Sequence, residues 1–283
     1  MTVHEVYTSL VEQFHRHGIV QAESQASLLL EALIGIEYNQ IFFNQKFFPE
    51  TLSEKMSSWL KRRIAGEPIQ YITGQAYFYG VSFKVGPGVL IPRPETEVLW
   101  ETVRKRAVSS QCVWDVGTGS GILAILLKKE FQNLEIWASD ISSKALEYAR
   151  QNSEILHVPD IHWQESDLDY SIPEDICFDM IMANLPYITS DDMRELPVEV
   201  KDFEPHNALD GGKEGLNIVF SLLDKGLYRL NPNGLILLEL GKEDQFYKVI
   251  DQTKKLKNFK LEEIILDLNN YKRVIVLRKV NNG

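Results

Sequence analysis

The chain has 283 residues, 44% of them hydrophobic and 25% charged, with a formal net charge of −10. That length allows two domains, and the acidic balance disfavours a protein built to bind duplex nucleic acid. Two cysteines, Cys112 and Cys177, and six scattered histidines show no metal-ligand spacing, so no metal is expected and both thiols read as buried and inert. No apolar run approaches about 18 residues, and residues 1–5 lack a basic or apolar leader, so a soluble cytoplasmic protein with no membrane contact is expected.

Residues 1–70 read as helical. Val6, Leu10, Val11 and Phe14 recur at helical spacing, as do Ala26, Leu29, Leu30, Leu33 and Ile34. Ser53 would N-cap a third segment through Met56, Trp59, Leu60 and Ile64. The basic runs Lys61-Arg62-Arg63 and Lys254-Lys255-Leu256-Lys257 read as solvated helix faces. No chemistry is visible in this part, which reads as a small domain for substrate recognition.

Residues 71–92 change character. Tyr71-Ile72-Thr73-Gly74 and the run 77–85 are aromatic and β-branched with glycine turns, which predicts a β-hairpin linker. Gly86-Pro87-Gly88 ends it. Ile91-Pro92-Arg93-Pro94-Glu95-Thr96-Glu97 then leads into a helix over 95–104.

The third region, 93–283, alternates strands and helices. Strands are predicted at 112–114, 134–139, 161–163, 178–183, 234–240, 261–266 and 273–277, with helices at 122–129, 143–152, 216–230 and 245–255. Such alternation builds a doubly wound, mostly parallel α/β sheet with helices on both faces. The last two strands are separated only by 267–272 and must pair antiparallel. A Rossmann-like sheet ending in an antiparallel hairpin is the class I methyltransferase shape.

The loop after the first strand of this region, Asp115-Val116-Gly117-Thr118-Gly119-Ser120-Gly121, allows a tight turn and close approach of a ligand. A dinucleotide fingerprint requires a third glycine where Ile122 stands. The spacing suits S-adenosylmethionine, which carries no phosphate. Gly117, Thr118, Gly119, Ser120 and Gly121 would cradle it. Asp140, just past the second strand, would accept both ribose hydroxyls, and Asp167-Leu168 would meet the adenine. The residues present no catalytic His or Tyr-Lys pair for a nicotinamide oxidoreductase.

Asn184-Leu185-Pro186-Tyr187 follows the apolar strand 178–183, at the carboxyl end where open α/β sheets place ligands. Pro186 holds Leu185 extended. The Leu185 carbonyl and the Asn184 side-chain oxygen can then grip both hydrogens of one planar NH2 group, while Tyr187 stacks on its plane. An amide or aryl amine nitrogen is a poor nucleophile because its lone pair is delocalised. Gripping both hydrogens aims that lone pair at a sulfonium methyl, so catalysis is positioning plus electrostatics. Asn184 would also border the cofactor. A nucleobase amino group is an alternative acceptor, and a non-catalytic module that kept the fold is another.

These motifs, with Gly66-Glu67-Pro68-Ile69-Gln70-Tyr71-Ile72-Thr73-Gly74 and the stretch Glu204-Pro205-His206-Asn207-Ala208-Leu209-Asp210-Gly211-Gly212 through Gly215-Leu216, resemble the peptide chain release factor glutamine methyltransferases of HemK/PrmC type over nearly the whole chain. The resemblance implies methyl transfer from S-adenosylmethionine, leaving S-adenosylhomocysteine, to the glutamine amide of the Gly-Gly-Gln loop of release factors. It also implies a helical N-terminal domain that helps hold that protein; from the acidic balance, no direct nucleic-acid partner is expected. The family's usual first proline is replaced by Leu185, which keeps the backbone carbonyl but loses proline's rigidity at that position.

Overall fold

The computed structural model describes residues 1–36, 38–41, 46–108 and 111–280. Its contacts divide the chain into two compact units, Met1–Gln75 with Pro197–Phe203, and Ala76–Leu196 with Glu204–Gly283.

The first unit is a helical bundle of Val3–Arg16, Ala22–Ile34, Tyr38–Ile41, Ser53–Ile64 and Ile69–Thr73. The first helix opens on a capping box, in which Thr2 Oγ1 accepts the Glu5 N–H at 3.2 Å and the Glu5 carboxylate accepts the Thr2 N–H at 2.8 Å. Phe14, Leu29, Leu30 and Ile41 are its innermost side chains, with Ile69 and Ile72 packed against them. Two expectations are corrected here. Residues 69–73 are helical, not part of a hairpin: Pro68 precedes the turn, Gly74 closes it in the left-handed conformation, and Ile69, Tyr71 and Ile72 are buried. Ser53 lies inside its helix and does not cap it; Leu52 stands at the cap with no side-chain hydrogen bond.

The basic run 61–63 is not uniformly solvated either. Arg63 is 5% exposed, and its guanidinium reaches the Gln25 side chain, the Glu67 carbonyl at 3.2 Å and the Glu199 carboxylate at 2.7 Å. Glu199 belongs to the short helix Val198–Lys201 that packs within this unit. Arg62 pairs with Glu67.

The second unit begins with a two-stranded hairpin, β1 (Gln75–Phe78) and β2 (Val81–Lys84). The main sheet has β3 (Cys112–Val116), β4 (Glu135–Asp140), β5 (Ile161–Glu165), β6 (Phe178–Ala183), β7 (Leu230–Glu239), β8 (Phe259–Leu266) and β9 (Lys272–Lys279) in the order β5-β4-β3-β6-β7-β9-β8. β3 to β7 are parallel; β9 is antiparallel to β7 and to β8. The antiparallel end hairpin follows the sequence pattern, and the final strand inserts between β7 and β8.

Both faces of the sheet are apolar, as parallel strands covered by helices require. Val113, Met180, Met182 and Leu237 face one core cluster, and Trp114, Val116, Ile181 and Leu238 the other. No helix among the described residues is long and apolar enough to cross a membrane. Cys112 and Cys177 are partly exposed, a correction to the buried reading; burial nonetheless pushes the Cys112 thiol up to about 12.

Candidate active site

The direction in which strands are added to the sheet reverses between β3 and β6, which run parallel. From β3 the sheet runs one way to β4 and β5, and from β6 the other way to β7. That switch point, at the carboxyl ends of the strands, is where such sheets bind ligands. In the β3–β6 register Val116 lies opposite Ala183, so Gly117 and Asn184 each start just past a paired position. A cavity of about 1110 Å³, including its open mouth, lies there.

Of the residues singled out from the sequence, Gly117, Thr118, Gly119, Ser120, Asp140, Asp167, Leu168, Asn184, Leu185 and Pro186 line this cavity; Gly121 and Tyr187 do not. Gly117 has φ +70°, and a Cβ there would stand 3.0 Å from Leu185 Cδ2. Gly121 serves packing. Its φ is +84°, and a Cβ would meet Ile125, Ala149 and Trp163 at 3.0–3.1 Å, where the helix Ile122–Glu130 comes close to its neighbours. Tyr187 lies behind the wall, its ring so close to Gly241 that a Cβ there would sit 2.6 Å from it. Its hydroxyl donates to Glu239 Oε1 at 3.3 Å.

Asp140 already accepts two backbone donors at 2.9 Å, Gly119 N–H on Oδ2 and Ser142 N–H on Oδ1. Each carboxylate oxygen keeps a further lone pair for a ligand hydroxyl. Burial raises its pKa against the backbone N–H groups of Ser142, Gly119 and Ile141. Asp115, absent from the sequence-derived set, also lines the cavity. It is 1% exposed, and burial pushes it up to about 7 although the Thr118 hydroxyl donates to it at 2.6 Å.

The acceptor motif is held from three sides. Gln245 Nε2 donates to the Tyr187 carbonyl at 2.8 Å. Gly211 and Gly215 pass so close that a Cβ would lie 2.4 Å from the Pro186 carbonyl oxygen and 2.2 Å from that of Tyr187. These contacts explain Gly211 and Gly215 of the 204–216 stretch. Asn184 Nδ2 donates to Thr96 Oγ1 at 2.9 Å, which leaves Asn184 Oδ1 without a donor among the described residues; the Leu185 carbonyl has none either. Glu204, 4% exposed, accepts the Ile91 N–H at 3.1 Å and pairs with Arg93, so the proline-arginine segment is pinned as part of the cavity wall.

The charged groups in the lining are Asp115, Asp140, Asp167 and Arg93, and Arg93 is already paired. A phosphate-bearing dinucleotide would find mainly carboxylates there. An adenosyl sulfonium, cationic at sulfur and at its amino group, fits that donor set and the glycine cradle. Among the described residues no group of three His, Cys, Asp or Glu could hold a metal.

Comparison with known proteins agrees. Residues 5–74 match the PrmC N-terminal domain, and residues 94–199 the methyltransferase small domain. A release factor glutamine methyltransferase of Koribacter versatilis is 35% identical over 99% of this chain and 99% of its own length. The chain belongs to the release factor glutamine methyltransferase family. A second relative of that name, from Thermodesulfovibrio yellowstonii, is 36% identical over 82% of this chain and 84% of its own. Among solved structures, a methyltransferase from Pyrococcus furiosus has a TM-score of 0.55 at 19% identity, covering 80% of this chain and all of its own. The ribosomal protein L11 methylase of Lactobacillus delbrueckii subsp. bulgaricus has a TM-score of 0.52 at 22% identity, covering 70% of this chain and 86% of its own. These last two share the fold. The enzyme is an S-adenosylmethionine-dependent methyltransferase of class I fold.

Proposed function

We propose that this methyltransferase modifies the glutamine side-chain amide in the Gly-Gly-Gln loop of peptide chain release factors, with Asn184 and Leu185 as the acceptor grip. The observation that carries the reading is a pair of free acceptors, Asn184 Oδ1 and the Leu185 carbonyl, on the wall of a cavity whose charged groups are mainly carboxylates. Two acceptors side by side match the two hydrogens of one primary amide. Relatives named for release factor glutamine methylation support that acceptor over a nucleobase amine.

Bound S-adenosylmethionine supplies an electrophilic methyl on sulfur. Asp140 would take the ribose hydroxyls, Leu168 and Asp167 the adenine edge, and Gly117 to Ser120 the close backbone approach. Asp115, once ionised, would meet the cofactor's amino group. Asn184 and the Leu185 carbonyl hold both amide hydrogens, and their pull strengthens as positive charge develops on nitrogen. The amide proton leaves to solvent after transfer, so no strong base is required. The helical unit, Met1–Gln75 with Pro197–Phe203, would hold the release factor, and the unit of Ala76–Leu196 with Glu204–Gly283 would carry out the transfer. Residence in the cytoplasm, where translation ends, accords with that substrate.

The test is transfer of a labelled methyl from S-adenosylmethionine to a purified, unmethylated release factor, beside a Gly-Gly-Gln→Gly-Gly-Ala factor. Label on the first alone is expected. Label on both would overturn the glutamine assignment, and label on neither, with cofactor bound, would overturn the release factor assignment.

A further inference from the structure

Asn184 can grip an amide only if its oxygen, not its NH2, faces the cavity. A carboxamide is nearly symmetric in shape, so something must choose between the two orientations. The choice lies in two buried polar side chains, Thr96 on the cavity lining and Glu239, which does not reach it. Thr96 opens the helix Thr96–Arg104 and is 2% exposed; Glu239 ends β7 and is 1% exposed.

We propose that Thr96, oriented by Glu239, is a positioning residue that fixes the Asn184 carboxamide with its oxygen toward the acceptor nitrogen. The proposal rests on the acceptor-grip reading of Asn184. Asn184 Nδ2 stands 2.9 Å from Thr96 Oγ1, and the Thr96 hydroxyl faces the Glu239 carboxylate closely enough to favour its ionised form against burial. A hydroxyl has one proton and two lone pairs. With the proton given to ionised Glu239, Thr96 presents only lone pairs to Asn184, and only the NH2 end of the carboxamide can face them. A flipped Asn184 would set oxygen against lone pairs and aim NH2 at the NH2 of the substrate.

Glu239 makes little sense as a stability device. Its Oε2 has no hydrogen-bond partner among the described residues, and an unsatisfied buried carboxylate costs free energy. The groups that face it are the Thr96 and Tyr187 hydroxyls, with Glu95 repelling its charge and Arg273 favouring it. Arg273 itself is paired with Asp267 at 2.8 Å. Burial pushes Glu239 up to about 7. When it is neutral it no longer claims the Thr96 proton, which can swing toward Asn184 and permit the flip. Transfer should therefore gain rate as pH rises through about 7.

The experiment measures kcat, KM for unmethylated release factor and cofactor affinity in Thr96→Val, Thr96→Ser and Glu239→Gln, each across pH 5.5 to 8.5, with Asn184→Ala alongside. Valine matches threonine in shape and lacks the hydroxyl. Thr96→Val should lose roughly 10- to 100-fold in kcat, the scale of one misdirected hydrogen bond to a charging nitrogen, with cofactor affinity within about threefold. Thr96→Ser should recover most of that loss and keep the pH limb. Glu239→Gln should lose the limb, since an amide does not ionise there. A merely structural role would lower stability without separating serine from valine and without touching the pH profile.

Wild-type kcat in Thr96→Val, or an intact limb in Glu239→Gln, overturns the proposal. Wild-type kcat in Asn184→Ala would instead overturn the acceptor grip on which it rests. Should the variants fail to fold, the wild-type enzyme still decides. The 15N-labelled Asn184 side-chain amide should shift with an apparent pKa near 7, and a flat titration overturns the relay.

Discussion

Replacing Asn184 by alanine separates the acceptor site from the cofactor site more cleanly than any other single change. The substitution removes one of two acceptors facing the reacting nitrogen and leaves the second, the Leu185 carbonyl, in place. As that nitrogen takes the methyl it becomes cationic, and each N–H···O bond to it becomes charge-assisted, worth roughly 1.5–3 kcal/mol. Loss of one such bond costs about 10- to 150-fold in rate, and the freed amide can also rotate out of line, so a total of roughly 10- to 1,000-fold in kcat is expected. The same truncation strips the buried Thr96 hydroxyl of its partner, costing about 1–3 kcal/mol of stability. Cofactor affinity should stay within about threefold, because the interaction is made in the transition state. Single-turnover transfer to a release factor and calorimetry with S-adenosylhomocysteine read the two separately. Unchanged turnover, or affinity falling in step with turnover, would refute the grip.

Three further changes test the cofactor wall and the packing behind its glycine loop. Asp140→Ala should weaken S-adenosylmethionine by roughly 1–3 kcal/mol through lost charge-assisted bonds, read by calorimetry; equal affinity would remove the ribose assignment. Gly121→Ala should cost about 2–4 kcal/mol of stability, from a left-handed backbone at φ +84° plus three contacts at 3.0–3.1 Å, and a denaturation midpoint that does not move would show that the loop simply relaxes. Asp115 gives a pH signature. Its folded pKa of about 7 lies above its unfolded value, so the folded protein binds the extra proton between roughly pH 4 and 7 and its contribution to stability falls as pH rises there. A cationic cofactor selects the ionised form, so affinity should climb with pH up to about 7 and level off, and Asp115→Asn should flatten that slope. A slope unchanged in that variant would assign it elsewhere.

What the sequence made legible has a physical pattern. β3 and β6 stood out because parallel strands buried on both faces are short, mostly apolar runs, each here broken by a single aspartate, and their following loops carry residue types that few other sites need. The helix at 69–73 did not. Tyr71, Ile72 and Thr73 favour strands locally, and only burial of Ile69 and Ile72 in the bundle decides for a helix. Arg63 looked solvated because its partners, Gln25 and Glu199, lie 38 and 136 residues away. Thr96 and Asn184 meet across 88 residues, so no spacing rule could join them. The place of the last strand left a fainter trace. Val274 to Leu277 are fully buried, whereas Glu262 and Glu263 interrupt β8, as suits the edge.

The leucine at position 185 shows how far one motif can drift while the chemistry holds. A proline there would stiffen the backbone before the acceptor carbonyl. Leucine replaces that stiffness with packing: Leu185 is 6% exposed, belongs to the core cluster of Trp114 and Ile181, and lies against Gly117 at the point where a Cβ would intrude. The glycine is therefore needed from both sides, by the ligand in front and by Leu185 behind. Because Val116 pairs with Ala183, the residue that admits the cofactor and the residue that presents the acceptor carbonyl are held by one register. A slip of one position would turn Val116 and Ala183 to the opposite faces and part the two sites, so strand pairing itself sets the distance over which the methyl must travel.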